Sequence, residues 1–428
     1  MILLQGVHAL LQAADPNQPP VSGTPFFLFT IVKMIVVFTV YMIGVALLTL
    51  AERKISAWIQ DRHGPNRVGK GWGQPFADGL KNFMKEETMP AGVNKPLFVL
   101  APILSFIPAL TAWAVIPFGA PLPTRWGRID MVVADMPVGF LFILALTSLS
   151  VYGIVLAGWS SNNKYALLGG LRSSAQMVSY EISLGMATIP VLLLAGNVSL
   201  NTIINQQAWG GWNVVNLTVA FFIFMVAAFA ETNRLPFDLP EAEAELIAGY
   251  HTEYSAMKFS LFFISEYASM VTASALMATL FFGGWDVPFT SHDNIGPYSG
   301  WLTLLSIGIF LFKVLFFVFL FMWIRWTLPR FRYDQLMSLG WKLMLPLALA
   351  YIVLIAAVML GLSAADVQPG RMYATILGSV NVAVVIILFA ILDRGRIISP
   401  AYGRMHPREI ERMRQVTRRA QLAAEANR

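Results

Sequence analysis

Carboxylates inside apolar runs are the residues of this sequence best placed to do chemistry. An acidic side chain at bilayer depth costs about 2.5–3.5 kcal/mol for Asp at a helix centre, so it is kept where it faces protein or water. Glu181 stands about five residues into an apolar run, in Ser179-Tyr180-Glu181. Glu266 stands about ten residues into another, in Ser265-Glu266-Tyr267. At 1.5 Å per residue this places Glu266 roughly 15 Å deep, near the midplane. Glu52 and Glu231 close two further runs on one side, and Lys313 falls near the middle of another. The plain structural reading makes these acids hydrogen-bonding partners for Lys or Tyr. Several of them leaving from one face favours a proton path. Lys33 is expected to snorkel to the interface.

A second concentration is the loop 231–255, which holds six acids and one Arg. It runs Glu231-Thr-Asn-Arg-Leu-Pro-Phe-Asp-Leu-Pro-Glu-Ala-Glu-Ala-Glu245 and continues through His251-Thr-Glu-Tyr254. Carboxyls crowded this close to a membrane raise one another's pKa by repulsion. Groups so raised load and release protons near neutral pH. A solvated acidic loop is the ordinary alternative. Pro236 and Pro240 stiffen the loop, however, and it leads straight into the run that carries Glu266.

The third concentration is Glu52-Arg53-Lys54 through Arg62-His-Gly-Pro-Asn-Arg67-Val-Gly, which Gly and Pro mark as a shaped loop rather than a helix. Gly64 to Gly71 has the outline of a phosphate-binding loop. The closing Ser/Thr is missing and no buried strand precedes it, so nucleotide binding is set aside. No metal-ligand spacing occurs elsewhere, and the sequence has no cysteine to hold an iron–sulfur cluster. None of the five histidines lies in a long apolar run, which argues against a bis-histidine haem.

The elements that must position these residues are membrane helices. Of 428 residues, 57% are hydrophobic and 13% charged, against about 25% charged in soluble chains. A span needs about 20 apolar residues. Such runs occur at 26–50, 97–118, 138–158, 176–196, 213–231, 256–282, 300–325, 340–361 and 372–392, which predicts an all-α integral membrane protein of about nine transmembrane helices. Loops on one side carry 24 Lys and Arg and loops on the other carry 3. The N-terminus is therefore expected outside and the basic tail in the cytoplasm, which accounts for the net charge of +6 without nucleic acid. Phe76, Leu80, Phe83 and Met84 share one face of a cytoplasmic amphipathic helix over 74–88. The expected organisation is an interfacial segment at 1–25 rather than a cleaved leader, a membrane core at 26–361, an extra helix at 362–392 and a basic tail, solvated or lipid-facing, at 393–428.

Several strings in order resemble one family. They are Ala51-Glu-Arg-Lys54, Gly64-Pro-Asn-Arg-Val-Gly69, Ala157-Gly-Trp-Ser-Ser-Asn-Asn-Lys-Tyr165, Leu171-Arg-Ser-Ser-Ala-Gln176 with Ser179-Tyr-Glu181, Glu231 through Glu243, and Tyr333-Asp-Gln335. This pattern, over about 26–361, resembles the H-subunit family of respiratory complex I, the NADH:quinone oxidoreductase. The resemblance implies a membrane protein that roots the peripheral arm in the bacterial cytoplasmic membrane, forms the entrance to a quinone chamber and joins it to a proton path. It implies Glu52, Arg53, Arg62, Arg67 and Tyr254 at the quinone-side surface, and Glu181, Glu231 and Glu266 in an acidic channel. Asp238, Glu241, Glu243, Glu245 and Glu253 would link the two. It implies quinone as substrate, FMN and iron–sulfur clusters in partner subunits, and no redox centre in this chain. Implied partners are the peripheral-arm iron–sulfur and quinone-site subunits, the other membrane-arm subunits and lipid. Family members typically end near the eighth span, so the ninth span and tail are a departure. The rival readings are the homologous membrane subunit of an energy-converting hydrogenase and, further off, a stand-alone secondary transporter, which predicts paired broken helices.

Overall fold

The computed structural model describes residues 21, 23–124, 126–238, 247–288, 298–367 and 370–392. Glu241, Glu243, Glu245, residues 1–20 and the tail 393–428 lie outside the described residues. The chain is an all-α integral membrane protein. Long apolar helices dominate it because, in hydrocarbon, each backbone N–H and C=O must be satisfied within its own segment. In order they are α1 (Thr24–Ile59), α2 (Gln74–Met84), α3 (Lys95–Thr111), α4 (Gly139–Ser160), α5 (Lys164–Ala195), α6 (Leu200–Gly210), α7 (Thr218–Glu231), α8 (Ala256–Phe281), α9 (Gly300–Thr327), α10 (Tyr333–Ala364) and α11 (Arg371–Leu392).

Seven stretches among the described residues are long and apolar enough to cross a membrane, against the nine expected. Of the other two expected spans, α7 has 14 residues and the apolar part of α11 runs Met372–Leu388. The run 213–231 is interrupted at Leu217, where φ −136° and ψ 47° break the helix. The expected second span runs to Val115, with α3 ending at Thr111 and a 3₁₀ turn completing it. A hairpin follows that was not anticipated. Strands β1 (Gly119–Thr124) and β2 (Gly127–Met131) pair antiparallel, Leu122 opposite Ile129.

Two compact units divide the chain at Leu377, and the packing below belongs to Met1–Leu377. In the other unit, the described residues 378–392 are helical. Helix α8 is enclosed along most of its length, whereas α1 presents most of its surface outward. Gly153 on α4 lets α3 approach closely: a Cβ there would collide with Ser105 Oγ. Gly169 on α5 does the same for the turn at 249–251. Asn163 caps α5, its side chain accepting from Tyr165 N at 2.9 Å, and Gly196 ends α5 in the left-handed region.

Two lysines of the apolar runs, Lys33 and Lys313, are held inside. Lys33 does not snorkel; its Nζ donates to the carbonyls of Asp130 and Val132 at 3.0 and 2.7 Å, fastening α1 to the hairpin. Lys313 donates to the carbonyls of Phe282, Gly284 and Asp286 at 2.8, 2.8 and 2.9 Å, just past the end of α8. Backbone carbonyls in the segment just after a helix C-terminus are natural acceptors for such a cation. Within α10, residues Leu339–Met344 form a π-helix packed on α5. There Gly340 lies against the Tyr180 ring, and Trp341 Nε1 donates to Ser179 Oγ at 3.1 Å.

Candidate functional site: a buried carboxylate–arginine junction

The site begins where α7 stops. Thr232 Oγ1 folds back to the carbonyl of Ala228 at 3.0 Å, and Asn233 takes φ 49°, a left-handed setting that Asn tolerates. The next residue, Arg234, is thereby turned into the protein interior, where it is 1% exposed. A guanidinium so buried is tolerable when carboxylates surround it. Arg234 Nη1 donates to both oxygens of Glu52, at 3.2 and 3.0 Å, and Nε pairs with Glu266 Oε1 at 2.5 Å. Its guanidinium also sits 4.3 Å from the centre of the Tyr267 ring. Tyr267 OH donates to Glu52, and Arg325 Nη1 reaches the other Glu52 oxygen at 2.5 Å. Burial opposes the charge on Arg234, yet Glu266, Glu52 and Tyr267 together hold its pKa above the ordinary arginine range.

Glu266, expected at the inner end of the acid series, stands ten residues into α8, and there Arg234 of the turn pairs with it. Glu231 lies between it and Glu181. A cavity of about 40 Å³ is lined by both Glu266 and Glu231, together with Ser105, Ser150, Ser265 and Ser269. That is room for a water with several polar partners. On its other side Glu231 bonds to the Thr147 side chain and lies close enough to Glu181 for their charges to repel. The neighbouring Ser148 hydroxyl donates to Glu181 Oε1. The order through the structure is therefore Glu266, Glu231, Glu181. Hydroxyls line the gaps, and a hydroxyl can donate and accept at once.

A larger cavity, of about 800 Å³, opens beside the junction. Asp238, Glu266, Arg325 and Arg330 give it charge, and Phe259 and Phe263 give it apolar wall. Asp238 pairs with Arg330 at 3.1 Å. Burial raises its carboxyl to about 6, even though Arg330 pulls the other way. His251 also borders this cavity, and burial lowers its imidazole to about 4.

The other expected residues are scattered. Tyr254 is not at a surface: it stacks on Phe98, ring centres 3.9 Å apart, inside a cluster with Tyr250 and Phe262. Burial pushes its hydroxyl up to about 12. Glu253 accepts from Asn163 Nδ2 at 2.6 Å, at the mouth of α5 and away from the junction. Glu52 belongs to the junction rather than to the neighbouring basic loop. The loop itself starts later than expected, because α1 stays helical to Ile59. Arg53 pairs with Asp78 of α2 at 2.8 Å, while Arg62 and Arg67 are exposed. Helix α2 keeps the expected face, with Phe76, Leu80, Phe83 and Met84 all exposed. No group of three His, Asp or Glu side chains is placed to hold a metal among the described residues.

Sequence reasoning missed the cations. Arg234 had a signal, as the lone base among six acids. Arg325 and Arg330 counted only towards orientation, and Thr147 and Ser148 gave no signal at all.

A family model described as NADH dehydrogenase matches residues 32–356. The H subunit of the Leptospira biflexa NADH-quinone oxidoreductase is 52% identical over 338 residues, covering 76% of this chain and 93% of its own. The Rhodothermus marinus counterpart, numbered 8 in its NADH-quinone oxidoreductase, is 52% identical over 324 residues, covering 74% and 92%. The H subunit of the Frankia casuarinae enzyme is 42% identical over 404 residues, covering 94% and 86%. That last alignment must run well past residue 361, so the C-terminal extension has a counterpart in at least one relative.

Proposed function

The chain belongs to the H-subunit family of NADH-quinone oxidoreductase, complex I, and on that premise we propose that it forms the quinone access chamber and couples quinone reduction to proton translocation. One observation carries this reading. Glu266 and Glu231 share a small polar cavity, Glu231 and Glu181 lie close together beside Thr147 and Ser148, and Glu266, paired with a buried arginine, also lines an 800 Å³ cavity. That cavity suits an amphiphile, with guanidinium groups for carbonyl oxygens and phenyl rings for an isoprenoid tail. Electrons come from iron–sulfur clusters in partner subunits, reached there from NADH through FMN. Reduction of a quinone to a quinol takes two electrons and two protons. Loss of protons near Asp238 and Glu266 changes which carboxylate Arg234 and Arg325 favour. Glu266 then exchanges a proton with Glu231 across the small cavity, and Glu231 with Glu181 by way of Thr147 and Ser148. Glu241, Glu243 and Glu245 complete the acid loop.

The bias of Lys and Arg supports an N-terminus outside and a C-terminus in the cytoplasm of a bacterial inner membrane. The exposed basic loop at 62–67 then faces the peripheral-arm subunits, and the apolar face of α2 meets lipid at the quinone entrance. The test is Glu231→Gln in the assembled complex reconstituted in vesicles. NADH oxidation with a short-chain quinone should persist while protons moved per NADH fall. Wild-type pumping per NADH in that complex, or in Glu266→Gln, would sink the proton-path reading.

A further inference from the structure

Gln176 of α5 is fully buried, five residues before Glu181, and its side-chain nitrogen meets three acceptors at once. They are the carbonyls of Ala230 and Phe237, each at 2.8 Å, and Asn233 Oδ1 at 3.2 Å. The first carbonyl closes α7 and the second ends the turn that carries Arg234, so one amide pins both ends of that turn. Asn233 returns the grip: its Nδ2 donates to Ser173 Oγ at 2.8 Å, three residues before Gln176 on the same helix. Phe237 also packs against the Tyr180 ring, centres 5.6 Å apart, next to Glu181 in sequence.

We propose that Gln176 and Asn233 are positioning residues that clamp the turn 232–238 to α5, so that the setting of Arg234 is passed to Glu181. The inference rests on the proton path proposed above. Arg234 follows Asn233 directly, so its guanidinium cannot change carboxylate partners by moving the main chain without pulling on Gln176. The chemistry at 176 is narrow. Two protons must be donated from a neutral group with the reach of two methylenes, and glutamine supplies that. A glutamate would press carboxylate oxygens against two carbonyls. A methionine would leave both carbonyls short of a donor without adding charge.

A staple with a purely structural role predicts less assembled complex but an unchanged yield of protons per NADH. The clamp predicts that the yield itself falls. The experiment uses intact complex carrying Gln176→Met, Asn233→Gly (which keeps the left-handed backbone) or both, reconstituted in vesicles. NADH oxidation and proton uptake are read on the same preparation. In Gln176→Met the protons moved per NADH should drop roughly two-fold or more, the scale of a coupling residue, while the oxidation rate per complex holds. The double variant should be no worse than the more severe single one, because both residues serve one link. A wild-type yield in assembled Gln176→Met complex overturns the clamp. Should Gln176→Met fail to assemble, Asn233→Gly is the decisive variant: it removes every side-chain contact of Asn233 with α5, to Ser173, Gln176 and Met177, a lowered yield supports the clamp and a wild-type yield overturns it. Glu181→Gln separates the two levels. If it pumps normally, the proton path is wrong. If it stops pumping while Gln176→Met does not, the path stands and the clamp falls.

Discussion

Two buried cations meet helix α8, and they are treated differently. Arg234 meets its first half through Glu266 and shares Glu52 with Arg325. Lys313 meets the backbone just beyond its far end, through the carbonyls of residues 282, 284 and 286. The intervening sixteen residues of helix span roughly 24 Å. A carbonyl is the same acceptor at every pH, so the hydrogen bonds of Lys313 form a fixed lock. A carboxylate can gain a proton and release its partner, so in the function proposed above the pairs of Arg234 form a junction that can be reset. One helix thus carries an anchored end and an adjustable end, and the adjustable end borders the larger cavity.

That contrast can be broken in three ways. The largest effect is expected from Arg234→Met, which strands Glu52 and Glu266 without their central cation. Breaking a buried ion pair from one side costs about 3–5 kcal/mol. Intact complex on a native gel should be nearly lost, and Arg234→Lys should restore part of it. Full assembly of the methionine variant would mean that the junction does not hold the helices together. Next comes Lys313→Met, which leaves carbonyls unsatisfied at a cost of about 1–3 kcal/mol. The complex should lose heat stability, yet protons moved per NADH in what assembles should match wild type. A lowered yield would erase the distinction between lock and junction. Smallest is Asp238→Asn. Its carboxyl, raised by burial to about 6, is ionised and paired with Arg330 above that pH and takes up a proton below it. The pH profile of quinone reduction should lose an inflection near 6 in the asparagine variant. An inflection that survives belongs to another group.

The membrane helices and the acids were legible in the sequence, because long apolar runs and charges inside them leave strong marks. Glu181, Glu231 and Glu266 do come together with Ser and Thr between them. Their order was not legible. Depth counted along one helix made Glu266 the innermost acid of the series, but such depth says nothing about which acid of a neighbouring helix lies beside it, and Glu231 stands between Glu266 and Glu181. The resemblance placed Tyr254 at the quinone-side surface, whereas Phe98 on another helix draws it into the core. The hairpin at 119–131 was hidden because it falls between two apolar runs and its first strand carries Pro121 and Pro123, which read as loop. Its strands also depend on distant bonds, such as Ala120 N to Ser306 Oγ at 2.8 Å. Gln176 was visible as a letter in a family string, but its three acceptors lie 54 to 61 residues away.

The π-helix of α10 has a consequence for length rather than for charge. An i→i+5 turn stores one residue more than an α-turn over the same rise. Residues 339–344 therefore hold a reserve of chain inside a span whose ends are otherwise fixed in number. Removing one residue there, for instance Lys342, would let the segment close as ordinary α-helix and leave Leu345–Ala364 in phase with its present neighbours. The same deletion a turn later would rotate every following side chain by about 100°. This is a place in the span where the protein could shorten by a letter and keep its faces, and the letter it keeps holds Gly340 and Trp341 against the helix of Glu181.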